Sequence, residues 1–220
     1  GIPMTDLAEI RSLIDRDVFD YQQLVGCLSH FRKPRDKIRR LLAGGGIVRI
    51  RKGLYAFAPP YRSGPLSREL LANLIHGPSY VSLDYALSYH GLVPERVATV
   101  TSVTCARSRS FTTPLGVFTY RSLPLPRYAV GAMLADSAAG PFLMACPEKA
   151  LADKVWADKR LRGMGPSEYR DYFVEDLRIE HASLESLNAS RLKTIADAYG
   201  SRKVLAFVRF VLSLKEPGHA

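Results

Sequence analysis

The chain of 220 residues is 47% hydrophobic and 24% charged, which excludes a disordered or fibrous protein and leaves room for one large domain or a small domain joined to a medium one. Its 31 Lys and Arg against 21 Asp and Glu give a formal net charge of +10, favouring a polyanionic partner through counterion release and steering. No run approaches the roughly 20 apolar residues that would span a membrane, no signal peptide opens the chain, and Cys27, Cys105 and Cys146 are too few and too scattered for a disulfide framework or metal ladder, so a reduced, cytoplasmic protein is expected.

Gly1-Ile2-Pro3 ahead of Met4 reads as an artificial leader, since a native start falls more naturally at Met4. Leu7, Ile10, Leu13 and Ile14 recur at helical spacing and predict a first helix with one buried stripe. Asp20-Tyr21-Gln22-Gln23 has the form of a capping box opening a second, short helix that ends near Leu28. Pro34 suits the first position of a third helix, which runs to Ala43 and stops at Gly44-Gly45-Gly46. At about 100° per residue, Ile38, Leu41 and Leu42 gather on one side of that helix, with Pro34 and Arg35 at the edges. Asp36, Arg39, Arg40 and Ala43 point the other way.

Ile47 to Arg51 alternates so that Val48 and Ile50 face a core while Arg49 and Arg51 face out. Lys52-Gly53 makes a two-residue turn, and Leu54-Tyr55-Ala56-Phe57 returns. Three helices followed by such a hairpin outline a winged helix-turn-helix over residues 4–60. Residues 1–62 hold 12 basic and 6 acidic groups, and within them Arg32, Lys33, Arg35, Lys37, Arg39, Arg40, Arg49, Arg51 and Lys52 are opposed only by Asp36. A solvated face ordinarily mixes signs, so this block points to double-stranded DNA. Arg39 and Arg40 are the base-reading candidates, because a guanidinium can address guanine with two hydrogen bonds. Arg32, Lys33, Arg35 and Lys37 fit phosphate contact, and Arg49, Arg51 and Lys52 of the wing fit a backbone or a minor groove. Taken alone, the hairpin is equally an ordinary one with a solubilising edge. Asp36, in the first turn and four residues before Arg40, reads as a local helical partner rather than a cytosine contact.

Pro59-Pro60-Tyr61-Arg62-Ser63-Gly64-Pro65 has the stiff, donor-poor composition of an interdomain connection, placing a second domain at residues 61–220. Leu66 to Ile75 reads as a helix, and Ser82 or Asp84 caps another that carries Tyr89-His90 to a left-handed end at Gly91. Val97 to Cys105 and Val117 to Arg121 are β-rich, with Arg107, Arg109 and Thr112-Thr113-Pro114 between them. Phe142 to Ala145 is a short buried strand, and Pro147 starts a helix through Trp156. From about Ser167 to Leu214 the period is helical, with Val204, Leu205, Val208, Val211 and Leu212 as one apolar stripe. The expected fold class is α+β: an N-terminal winged helix-turn-helix, then a larger α+β domain closed by a helical bundle.

Little in the second domain suggests chemistry. His90 beside Gly91 suits the negative end of a helix better than a general base without a partner. Cys146 at a helix start could be an activated thiolate, but a small packing residue is the simpler reading. Glu148 and Asp153 suit a helix start and a surface, with no cluster at metal-ligand spacing. Without a phosphate-cradling loop, metal ladder or nucleophile elbow, an enzyme, a cofactor and a metal are not expected. Arg107, Arg109, Arg121 and Arg127 with Tyr120 and Tyr128 form a second basic and aromatic concentration. It either extends a DNA footprint, meets RNA or an acidic protein, or is a set of solvated strand ends.

Arg51-Lys52-Gly53-Leu54-Tyr55 after a basic third helix, Tyr80-Val-Ser-Leu-Asp-Tyr-Ala-Leu-Ser-Tyr-His-Gly-Leu-Val-Pro94, and Ala145-Cys-Pro-Glu-Lys-Ala-Leu-Ala-Asp153 stand in an order that resembles the AbiEi family of antitoxins from bacterial abortive-infection operons. The resemblance covers nearly the whole chain. It implies a DNA-binding autorepressor of its own operon, probing inverted-repeat operators, whose C-terminal domain counteracts a nucleotidyltransferase toxin without a stable complex. The family's DNA contacts carry over to Arg35, Arg39, Arg40, Arg49, Arg51 and Lys52. The Gly-Ser and paired acids of the toxin itself are missing; Asp15-Arg16-Asp17 pairs two acids but has no phosphate-binding loop beside it. The rival readings are a stand-alone winged-helix regulator with a ligand-binding or dimerisation module, and an enzyme acting on nucleotides or nucleic acid.

Overall fold

The computed structural model describes residues 4–163 and 165–218, so the expected leader Gly1-Ile2-Pro3 lies outside the described residues. The first elements are α1 (Met4–Leu13), β1 (Val18–Asp20), α2 (Tyr21–Cys27) and α3 (Pro34–Ala43). Local signals set their ends. The Asp20 carboxylate accepts from the Gln23 amide at 2.8 Å while the Gln23 side chain accepts from the Asp20 amide at 2.9 Å, so the capping box is complete. Pro34 occupies the first turn of α3 and Gly44 caps its end. A hairpin follows, β2 (Ile47–Arg51) and β3 (Leu54–Phe57), and Gly53 at φ +84° supplies the backbone its tight turn needs. Antiparallel pairing of β1 with the far edge of β3 completes a sheet of order β1-β3-β2.

Two expectations about this region need correcting. Leu13 is 61% exposed, because at about 100° per residue it lies well off the line of Leu7, Ile10 and Ile14, which are buried. On β2 the alternation is interrupted by a register shift between Arg49 and Arg51. Ile47 and Ile50 are therefore the buried residues, Val48 is half-buried, and Arg51 is turned partly inward.

β3 is buried along its whole length, and its two faces serve different cores. Tyr55 and Phe57 join Leu7, Ile10, Phe19, Leu24, Ile38 and Leu41 under the three helices. Leu54 and Ala56, on the opposite face by the period of two, join Ile50 in the core of the rest of the chain. Such a fully buried Leu or Phe contributes about 1.5–3 kcal/mol. The connection is strapped down too. Asp17 accepts from the Ser63 amide at 2.9 Å and pairs with Arg11 at 2.9 Å, and Arg62 donates to the Phe57 carbonyl at 2.7 Å.

Beyond it come α4 (Arg68–Ile75), β4 (Ser79–Val81), α5 (Leu83–Tyr89), β5 (Val100–Thr104), β6 (Arg109–Thr113), β7 (Gly116–Ser122), α6 (Leu125–Tyr128), β8 (Ala132–Ser137), β9 (Gly140–Ala145) and α7 (Pro147–Ala157). Helices α8 (Pro166–Arg170), α9 (His181–Glu185), α10 (Ala189–Tyr199) and α11 (Arg202–Leu214) follow, with a π-helical turn over Asp171–Asp176. The strands form one mixed sheet of order β6-β7-β5-β4-β9-β8, parallel at β5/β7 and β4/β9, so the chain is α+β. Helices cover both faces of this sheet. Tyr120, paired with Ser102, donates its hydroxyl to the Ala72 carbonyl on α4. Tyr80, paired with the next residue Val103, reaches Asp153 on α7 from the other side. On α11 the buried stripe is Val204, Phe207, Val208, Phe210 and Val211, while Leu205 is 38% exposed. Among the described residues, no helix is long and apolar enough to cross a membrane.

Candidate nucleic-acid interface

α3 presents its cations because its apolar side is already committed. Ile38 and Leu41 are buried, whereas Arg35, Arg39 and Arg40 are exposed, and Arg32 and Lys33 are exposed just ahead of the helix. Across the hairpin, Arg49 and Lys52 are exposed as well. The side chains of Arg32, Lys33, Arg35, Arg40, Arg49 and Lys52 have no hydrogen bond or ion pair among the described residues. Arg39 is 83% exposed and approaches only Asp36, at 3.9 Å. The expected partner of Asp36 was Arg40; the structure selects Arg39, one turn away at i+3, and leaves Arg40 unpaired.

Two members of the expected cationic set are employed elsewhere. Lys37 forms an ion pair with Asp6 of α1 and lies 4.6 Å above the Phe31 ring, with only 14% of its side chain exposed. It sits at the junction of α1 and α3, between the helix faces, and its charge is met by a carboxylate. Arg51 donates to the Ile75 carbonyl at the end of α4 and lies 5.1 Å over the ring of Phe111 on β6. The register shift on β2 is what turns it there. Its role is to moor the hairpin to the larger sheet.

The second basic and aromatic concentration also divides. Tyr120 is buried against α4, Tyr128 packs 5.0 Å from Tyr80, and Arg127 donates to the Tyr199 carbonyl at 2.7 Å. These three hold the core together. Arg107, Arg109 and Arg121 remain exposed, Arg121 also donating to the Ala157 carbonyl at 3.2 Å.

Asp153 and Glu148 are not surface groups, as sequence had suggested for the former. Asp153 is 1% exposed and accepts from Tyr80 at 2.9 Å, from Ser82 at 2.7 Å and from Tyr199, with Lys149 at 3.7 Å. Glu148, 3% exposed, accepts from the Asn188 amide at 3.1 Å and faces Arg191 at 3.4 Å. Burial pushes the Asp153 carboxyl up and the Lys149 ammonium down, each opposed by the other's charge. The sequence signal available was that Tyr80, Ser82, Lys149 and Asp153 all lie in β-rich or apolar-periodic segments, where a charge must find a partner. His90, expected at its own helix's carbonyls, instead places Nε2 2.7 Å from the Ala145 carbonyl on β9. Cys146 is buried and its thiol is pushed up by desolvation, which suits a packing residue. No protein-family model and no curated protein matches the chain.

Proposed function

We propose that residues 4–60 are a winged helix-turn-helix that grips duplex DNA, and that the chain is a transcriptional autorepressor and antitoxin counteracting a nucleotidyltransferase toxin. One observation carries the DNA reading: six cations without partners, with Arg39 beside them, project from a basic helix and an adjoining hairpin whose buried sides are fixed by packing. Unpaired exposed guanidinium and ammonium groups keep their full attraction for phosphates, and releasing condensed counterions makes the binding salt-dependent. Arg39 and Arg40 occupy the outward side of the helix that would enter a major groove, and Arg32, Lys33, Arg35, Arg49 and Lys52 surround it. Lys37 and Arg51 hold the unit in shape. The antitoxin half of the proposal rests on the AbiEi-like order of segments.

Titration of the upstream promoter DNA and of random duplex at several salt concentrations tests the first half. Arg39→Ala should lose discrimination between the two, about 1–3 kcal/mol if it makes a bidentate base contact, whereas Lys52→Ala should weaken both alike. Equal loss on both DNAs from Arg39→Ala refutes its base-reading role. Rescue of growth on co-expression with an adjacent nucleotidyltransferase tests the second half, and no rescue favours a stand-alone regulator. A groove of about 1070 Å³ bounded by Thr119, Arg121, Lys154 and Trp156 favours that second reading, since it gives the larger domain room for a ligand.

A further inference from the structure

The hairpin does not stand alone at the DNA-facing edge of the molecule. The ring of Phe111 on β6 is shared by two guanidinium groups, Arg51 from the hairpin at 5.1 Å and Arg109 from its own strand at 5.3 Å. His76 at the end of α4 closes the junction, its ring 5.9 Å from Phe111 and its Nε2 donating to the Arg107 carbonyl at 3.0 Å. Arg107 and Arg109 are themselves exposed, and no carboxylate pairs with either among the described residues. β6 is the outermost strand of its sheet, so it has no strand neighbour on that side to cover them.

We infer that Arg107 and Arg109 form a second phosphate-contacting strip, continuous with the hairpin, that lengthens the DNA footprint on the hairpin side; the inference rests on the DNA reading above. Three physical points carry it. The strip is fixed relative to Lys52 and Arg49, because Arg51 ties the hairpin to Ile75 and Phe111. Its charge is uncompensated, so desolvation by a phosphate is repaid by attraction. A strand edge bearing arginine addresses backbone rather than base edges, so the contact adds affinity and salt dependence without sequence preference.

The probe is random-sequence duplex DNA in two lengths, titrated by fluorescence anisotropy over a range of salt concentrations against the full chain, Arg107→Ser/Arg109→Ser and Arg40→Ala. Thermal melts confirm that the exposed substitutions leave the fold intact. On long duplex the double variant should lower the slope of log K against log salt by about 1.8, near 0.9 for each phosphate released. On a duplex too short to pass beyond the hairpin, the double variant and the parent chain should coincide. A double variant with an unchanged slope, alongside an Arg40→Ala variant whose slope falls, overturns the strip and leaves the winged-helix reading standing. A parent chain that binds neither duplex overturns both.

Discussion

Lys149 and Asp153 face one another across one turn of α7, 3.7 Å apart, and neither side chain reaches solvent. Three hydroxyls complete the arrangement, from Tyr80 on β4, from Ser82 at the start of α5 and from Tyr199 at the end of α10. A single carboxylate thus joins the sheet to three helices. Removing one charge strands the other in a dry interior, at a cost of about 3–5 kcal/mol. Lys149→Met should therefore destabilise the chain severely in urea melts, and Asp153→Asn comparably, while Lys149→Met/Asp153→Leu should recover much of the loss. A double variant no more stable than either single would show that the pair is not the source of the cost.

Lys37 and Arg40 lie three positions apart on α3 with opposite assignments. Lys37 is closed off by Asp6 and Phe31, and Arg40 is exposed and unpaired. Lys37→Ala should lower the melting temperature and leave the salt slope of DNA binding unchanged. Arg40→Ala should keep the melting temperature and reduce the slope by about one. Measuring both quantities on both variants checks the division, and a crossed result reverses the two roles.

What was legible in the sequence was what local chemistry decides. The Asp20/Gln23 capping box, Pro34 at a helix start and Gly53 in a two-residue turn each fix a boundary without reference to distant residues. β1, of three residues, and the edge strands β6 and β8 carry no such mark: β6 is polar on both sides and β8 lacks a buried face. Their existence depends on the neighbours with which they pair. The cationic set was legible as composition, but its division was not. Nothing local distinguishes Lys37 from Arg40 or Arg51 from Arg49; the distinction arises from Asp6, Ile75 and Phe111, brought up by tertiary contact. The burial of Asp153 escaped for the same reason, since its partners come from positions 80, 82 and 199.

Asp17 ties the 59–65 connection to the first helix. Burial alone would raise its pKa, but the Ser63 and Gly64 amides and the Arg11 guanidinium outweigh that and hold the carboxyl below its usual range. A depressed carboxylate contributes stability that is complete above its unfolded pKa of about 3.9 and is lost as pH falls through the lower folded value. The acid limb of a stability curve should therefore flatten in Asp17→Asn below about pH 4, with a loss of about 1–2 kcal/mol at neutral pH. An acid limb identical to that of the parent chain would remove Asp17 from the account.

Arg51 gives the sharpest test of how the hairpin is held. Its guanidinium stacks on Phe111 while donating to the Ile75 carbonyl, two contacts that need a planar fork. Arg51→Lys keeps the charge and loses the stacking geometry; Arg51→Ala loses both. Summing a cation–π contact and a partly buried hydrogen bond, Arg51→Ala should cost about 1–3 kcal/mol, and Arg51→Lys should recover little of it. Because Ile50, Leu54 and Ala56 remain in the larger core, the chain should still unfold in one cooperative step. The local consequence is different: amides of β2 and β3 should exchange hydrogen faster in both variants than in the parent chain, with those of β9 unchanged. If Arg51 were instead a free phosphate contact, Arg51→Ala would alter the salt slope and leave stability and exchange where they were.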